Sequence, residues 1–298
     1  MNPRYPVYVP SKGRYHKHLT VDFLQKDNVP FYLVVEPQEE EAYREATGHD
    51  NILVLPWSDL GKGGLIAVRN WIRDHSQKAG HERHWQLDDN IKTLMRLWGN
   101  KRVHAPAGAV LSATEDFVDR YENVAVAGLN YDFLAMRIRN KKPFTLNAHV
   151  YSCTLFLNRI PYRWRLEYND DTDMCLQALA GGWCTMLMNA FMCYKQETMT
   201  IKGGNTPIYE GDGRVKMARS LERIWPRVVE TKRRFERPQH VVAKAWRGFD
   251  NQLVKKADLV IDESPNEYGM ELVSKRPIKS DAVKELLNDW ETKSKKER

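Results

Sequence analysis

The chain has 298 residues and a mass of 34.8 kDa, with 42% hydrophobic and 29% charged residues, which excludes a disordered or fibrous chain and allows a sizeable core. Its net charge of +7 lies wholly in residues 214–298, where 21 Lys/Arg meet 14 Asp/Glu. A local basic segment beside a neutral one suits either a polyanion partner or a solvated helix surface. The longest apolar stretch, around 183–194, is interrupted by Asn189 and is too short to span a bilayer. The N-terminus lacks an apolar signal core, and the four cysteines show no CxxC spacing. The expectation is a cytoplasmic protein with reduced thiols.

Short β-rich runs alternate with helical patterns along the first half. Strands are expected at 6–10, 30–36, 51–56 and 84–89, with helices near 16–27, from 37, and at 63–80. This alternation predicts an α/β domain with a largely parallel sheet flanked by helices. Further on, the pattern predicts a helix at 106–122, a strand at 123–129 and a long strand at 149–158. A loop then leads into a helix over 169–183, followed by one or two buried strands at 184–195. A Gly-rich loop at 201–213 closes this part. The expected domain spans 1–213, and 214–298 is expected to be a basic, mainly helical C-terminal region ending in an exposed helix at 280–298. No internal repeat is present.

In an open α/β sheet, ligands bind at the carboxyl ends of the strands. Four features fall there: Pro10, Ser11, Lys12, Gly13 and Arg14 after the first strand; Glu36 ending the second; Gly61, Lys62, Gly63 and Gly64 after the third; and Asp88, Asp89 and Asn90 ending the fourth. Two adjacent carboxylates and a carboxamide make a hard-oxygen site suited to Mg²⁺ or Mn²⁺, and equally an Asp-rich turn or helix cap. The glycine loop is not a Walker A motif, but it lets a helix N-terminus approach a phosphate. Arg69 and Asn70 lie in that helix, either near the phosphate or as a surface Arg and a polar cap. A second acidic cluster, Asp170, Asp171 and Asp173, offers a general base for an acceptor hydroxyl, or N-caps the following helix.

Together these motifs resemble the GT-A-fold glycosyltransferases over about residues 1–205. The stretches HWQLDDNI (84–91), YNDDTDMCLQALAGGW (168–183), KGGNTPIYEGDGR (202–214) and RPQHVV (237–242) resemble more closely the TET-associated glycosyltransferases of phage DNA modification. The resemblance implies transfer of a sugar from a UDP-sugar to 5-hydroxymethylcytosine, or a similar hydroxymethylated pyrimidine, in DNA. It implies a metal-dependent, inverting reaction. Pro10, Ser11, Lys12, Arg14, Glu36, Gly63, Arg69, Asn70, Asp88 and Asp89 would bind the nucleotide sugar. Asp88, Asp89 and Asn90 would hold Mn²⁺ or Mg²⁺, with His240 the candidate additional ligand. Asp171, beside Asp170, would take the acceptor proton. The chain departs from the family pattern at Asn90, where Asp is common, and at Asp170, where Glu is usual.

DNA is expected along the basic segment, at Arg233, Arg234, Arg237, Lys244 and Arg247, since Lys and Arg contacts to phosphate dominate DNA affinity. Trp225, Trp246 and Phe249 are expected mostly in the core. Three rivals share features with this reading: a GT-A enzyme with a polysaccharide, lipid or protein acceptor, an inactive DNA-binding relative, and a nucleotidyltransferase.

Overall fold

Period-two alternation builds the first half of the sheet. In β1 (Val7–Pro10), Val7 and Val9 enter one core and Tyr8 the other; in β2 (Tyr32–Val35), Leu33 and Val35 share the first core and Val34 the second. Strands buried on both faces need helices on both sides. On the first face, α1 (Leu19–Lys26) brings Val21 and Leu24, and α2 (Glu40–Thr47) brings Tyr43. On the second, α3 (Gly64–Lys78) brings Val68 and Ile72. β3 (Ile52–Val54), β2, β1 and β4 (Arg83–Leu87) pair parallel in that order. This is the expected α/β arrangement, compatible with a Rossmann-like fold.

This computed structural model describes residues 2–58, 64–98, 101–135, 142–196, 213–234, 237–242 and 248–260. Residues 1–257 form one compact unit and 258–298 a second, of which 258–260 are described. The Gly-rich loop at 201–212, the expected helix at 280–298, and Gly61, Lys62, Gly63, Lys244, Trp246 and Arg247 lie outside the described residues.

Beyond β4 the chain adds β5 (Ile91–Trp98), β6 (Lys101–His104), α4 (Ala107–Val118), β7 (Val124–Tyr131), β8 (Phe144–Leu146), β9 (Cys153–Leu157), α5 (Asp170–Ala180) and β10 (Cys184–Lys195). The sheet order is β3-β2-β1-β4-β9-β7-β10-β5-β6, with β8 beside β10. β7 and β10 run parallel, while β9, β5, β6 and β8 pair antiparallel to their neighbours. β5 and β6 escape the sequence pattern because Lys92, Thr93, Arg96, Lys101 and Arg102 interrupt their apolar positions. α4 joins the first core and α5 packs on the second face against Val126, Phe156 and Leu187.

Two expectations need correction. The long strand at 149–158 is only Cys153–Leu157. Ser152 adopts φ +59°, a left-handed conformation that ends the strand and turns its hydroxyl toward the strand-end carboxylates. The C-terminal region is helical over α6 (Gly213–Ile224), but 230–241 is an antiparallel hairpin of β11 (Glu230–Arg234) and β12 (Arg237–Val241). Pro238 bars a continuous helix there, and β-branched residues at Val228, Val229, Val241 and Val242 favour extended backbone.

α6 and the hairpin adjoin α5. Leu166, Leu176, Leu221 and Val229 form one cluster, and Trp225 and Phe249 pack against it. The indole N–H of Trp225 donates to Asp173 Oδ1 at 2.7 Å. The four cysteines are free and buried, as the reduced-thiol reading requires. No helix among the described residues is long and apolar enough to cross a membrane.

β7 and β9 approach closely at Gly128. A Cβ there would lie 2.4 Å from the Cys153 carbonyl oxygen and 2.5 Å from Val150 Cγ1. Gly128→Ala is therefore expected to cost about 1–3 kcal/mol, read as a lowered urea midpoint with an unchanged m-value.

Candidate active site

The predicted strand-end residues do converge. Asp88 and Asp89 follow β4, Ser11 and Arg14 follow β1, and Glu36 follows β2. Ser11 Oγ donates to Asp89 Oδ2 at 2.7 Å and contacts the Tyr43 hydroxyl at 2.6 Å. Arg14 pairs with the other oxygen of Asp89 through Nη1, and its backbone N–H donates to Tyr43. Lys12 Nζ lies 2.8 Å from Glu36 Oε1, and Gln38 Nε2 donates to Glu36 Oε2 at 2.6 Å. Pro10 ends β1 beside them, while Ser11 N–H continues the ladder to Val34 O.

Asp88 is held by basic groups from two other elements. Lys195, the last residue of β10, donates to its Oδ2 at 2.6 Å, and Ser152 Oγ donates to the same oxygen at 2.7 Å. Arg69 Nη2 on α3 lies 3.5 Å from Oδ1. Burial pushes this carboxyl up, but Lys195 and Arg69 outweigh it and hold Asp88 below its usual range. Asp89 goes the other way: burial prevails over Arg14 and Ser11, and its carboxyl is raised.

Arg69 bridges the two acidic clusters. Its Nε lies 2.7 Å from Asp170 Oδ2, an ion pair too poorly aligned to count as a hydrogen bond. Its Nη1 donates to Gln86 Oε1 at 3.0 Å. Gln86 Nε2 in turn donates to His84 Nε2, leaving His84 Nδ1–H to donate to Asn158 Oδ1 at 2.5 Å. Burial pushes His84 down to about 3, so this buried chain stays neutral while it orients the guanidinium.

The second cluster divides its roles. Asp173 is fully buried and accepts a two-pronged pair from Arg165 at 2.9 Å on each oxygen, so it is structural. Asp170 and Asp171 occupy the first turn of α5, where the helix dipole favours negative charge. Asp171 Oδ2 lies 3.1 Å from His149 Nε2. Burial raises Asp171, but His149, the Thr172 N–H and Arg69 draw it well below the usual carboxylate range. Burial pushes Asp170 up to about 6 despite Arg69, with Asp171 and Asp88 adding to the rise.

These opposite shifts set the pH dependence of stability. Asp170 binds its proton more tightly in the folded chain. Its contribution is present below pH about 4 and is lost as pH rises through about 6. Asp171 contributes above pH about 4 and loses that contribution as pH falls further. Asp170→Asn, a mimic of the protonated acid, is expected to melt above wild type at pH 8, and the gap should close below pH 5. Thermal melts across this range check it.

A family model described as TET-Associated Glycosyltransferase matches residues 5–204. The chain belongs to this family. The matched segment contains every strand-end residue above, both acidic clusters and Lys195. This glycosyltransferase finds no match among curated proteins.

Not all the predicted residues of the glycosyltransferase join the cluster. Asn70 faces the 158–164 segment, where its amide donates to Trp164 O at 2.9 Å and accepts from Trp164 N at 3.2 Å. Asn90 donates to Gln196 O at 3.3 Å. His240, on β12, is within electrostatic reach of Asp171 and His149 and makes no ion pair with Asp88 or Asp89 among the described residues. Burial lowers its pKa, with Asp171 opposing. Arg233 is exposed on β11, and Arg234 and Arg237 stand on the two hairpin strands.

The donor set of the glycosyltransferase does not fit a divalent cation. Asp88 meets Lys195, Ser152 and Arg69, and both oxygens of Asp89 are engaged by Ser11 and Arg14. Only Asn90 Oδ1 of this trio is buried without a hydrogen-bond partner among the described residues. A dication at these oxygens would sit within a few ångströms of three positive groups and be repelled by each. Among the described residues, no group of three or more His, Cys, Asp and Glu side chains is arranged to hold a metal.

Sequence reasoning missed Lys195, His149, Ser152 and Tyr131. Lys195 carried one signal, a charge closing an otherwise apolar run. Tyr131 OH contacts Ser152 Oγ at 2.6 Å, and its ring stacks on Phe133 with centroids 5.3 Å apart. Beside them a cavity of about 500 Å³ is lined by Lys92, Tyr131, Asp132, Phe133, Tyr194, Lys195 and Gln196.

Proposed function

We propose that this glycosyltransferase moves a sugar from a UDP-sugar onto the hydroxymethyl group of 5-hydroxymethylcytosine, or a similar hydroxymethylated pyrimidine, in DNA. One observation carries the reading: Asp171, ionised beside His149, adjoins Asp170, and Arg69 pairs Asp170 with Asp88 in the strand-end cluster. A proton acceptor thus stands next to positive charge suited to a departing diphosphate.

In this reading Lys12, Arg14, Glu36 and Asp89 hold the nucleoside. The acceptor oxygen attacks the anomeric carbon in a single inverting displacement. The new C–O bond forms as the bond from the anomeric carbon to the β-phosphate oxygen breaks. Asp171 takes the hydroxyl proton, His149 holds that carboxylate in place, and the extra negative charge of UDP meets Arg69.

The aromatic cavity suits the acceptor base. Phe133 and Tyr194 are 66% and 41% exposed, enough for a base to stack on them. The Lys92 ammonium, 5.0 Å from the Tyr194 ring centroid, suits a flanking phosphate. The hairpin adds the exposed Arg233, which the register puts on the same hairpin face as His240. A base taken from a duplex would need to be flipped to enter.

The test is the DNA dependence of donor use. UDP release from a panel of UDP-sugars is expected to rise strongly with DNA containing 5-hydroxymethylcytosine and not with unmodified DNA. Equal release with both, or with neither, would move the acceptor elsewhere.

A further inference from the structure

We infer that Lys195, together with Arg69, supplies at the diphosphate the positive charge that a divalent cation would otherwise bring. The inference rests on the donor reading above. Its ground is the pairing at Asp88, where a metal was expected. The Lys195 ammonium has three N–H donors, of which two go to Asp88 Oδ2 at 2.6 Å and Ser152 Oγ at 2.9 Å. No third acceptor meets this ammonium among the described residues, so the remaining donor is left for an anion on the side of the cavity that adjoins Asp88. Its Nζ lies 5.8 Å from the Tyr131 ring centroid, a further attraction that holds the cation at this spot.

The arrangement is built rather than incidental. Lys195 is 13% exposed and ends a strand whose register shifts at Tyr194/Lys195. Ser152 reaches it only because its backbone takes the left-handed conformation. On the other side of Asp88, Arg69 is fixed by Gln86 and His84. Asp89 is paired with Arg14 in the same manner, so neither strand-end carboxylate is left to a metal. Asp88 then acts as a positioning residue for two cations. As UDP leaves with one more negative charge, Lys195 and Arg69 stand beside it without any ion having to bind first.

Mn²⁺ titrated into the protein alone, with the free ion followed by EPR, reads the site without reference to any acceptor. Wild type is expected to take up none at this site. Lys195→Met, which releases Asp88 Oδ2, is expected to gain uptake of one ion, and Lys195→Arg to gain none. UDP release is expected to change less than twofold between EDTA and Mn²⁺. Lys195→Met should lower it about 100-fold, with partial recovery in Lys195→Arg. Stoichiometric Mn²⁺ uptake by wild type that Asp88→Asn removes would overturn the inference, as would loss of turnover in EDTA. If Lys195→Met fails to fold by circular dichroism, the two wild-type arms decide. A failed DNA-acceptor reading would appear instead as no DNA product, with the Mn²⁺ titration unaffected.

Discussion

Asp171→Asn is expected to lower sugar transfer by about 10³-fold while donor affinity stays within about threefold, because a positioned general base contributes about 10²–10⁴. The substitution keeps the shape of the side chain and its place on the first turn of α5. It removes the negative oxygen that faces His149 at 3.1 Å. The strand-end contacts of Ser11, Arg14 and Glu36, proposed to hold the donor, lie on other elements and are left intact. Asp173→Asn makes the contrast: Asp173 faces Arg165 and Trp225, so its loss should loosen α6 and lower the melting temperature with transfer per folded molecule kept. Steady-state kinetics with separate donor-binding titrations check both. Normal turnover in Asp171→Asn would remove this residue from the base role.

Arg69→Met is expected to be the most damaging single change to both stability and transfer. The guanidinium is, among the described residues, the one positive group paired with both Asp88 and Asp170, and it is 8% exposed. Removing one partner of a buried ionic network leaves the others uncompensated, at about 3–5 kcal/mol. Asp170, already pushed up to about 6, would then hold its proton to higher pH. Adding Asp170→Asn to Arg69→Met should recover part of the lost stability, because it removes a repelling carboxylate. Transfer should stay low in the double variant, because the charge facing the diphosphate is gone. Urea denaturation of both single variants and the double variant measures the coupling. Strict additivity would separate Arg69 from Asp170.

Much of the strand-end half of the site was legible in the sequence. Val7, Val9, Leu33 and Val35 alternate with Tyr8 and Val34, which fixes strands buried on both faces, and the turns after them carry the polar residues. Asp88 and Asp89 stand out because two carboxylates end an apolar strand. The other half was less legible for physical reasons. β5 and β6 are partly exposed and carry Lys and Arg, so they have no clean period. Ser152 reaches Asp88 only through a left-handed backbone that no residue pattern announces. Lys195 lies 107 residues from Asp88 along the chain, and β10 delivers it to the cluster after a register break near Asn189. Asn70 was read as a donor ligand because it neighbours Arg69. On a helix, adjacent residues point about 100° apart, and Asn70 faces Trp164 instead.

The most direct measurement is the mass of the nucleosides after reaction. DNA containing 5-hydroxymethylcytosine, and matched DNA with plain cytosine, would be incubated with the protein and each UDP-sugar, then digested and weighed. The account predicts a hexose or N-acetylhexosamine increment on the modified base alone. UDP release with no increment on any nucleoside would contradict it.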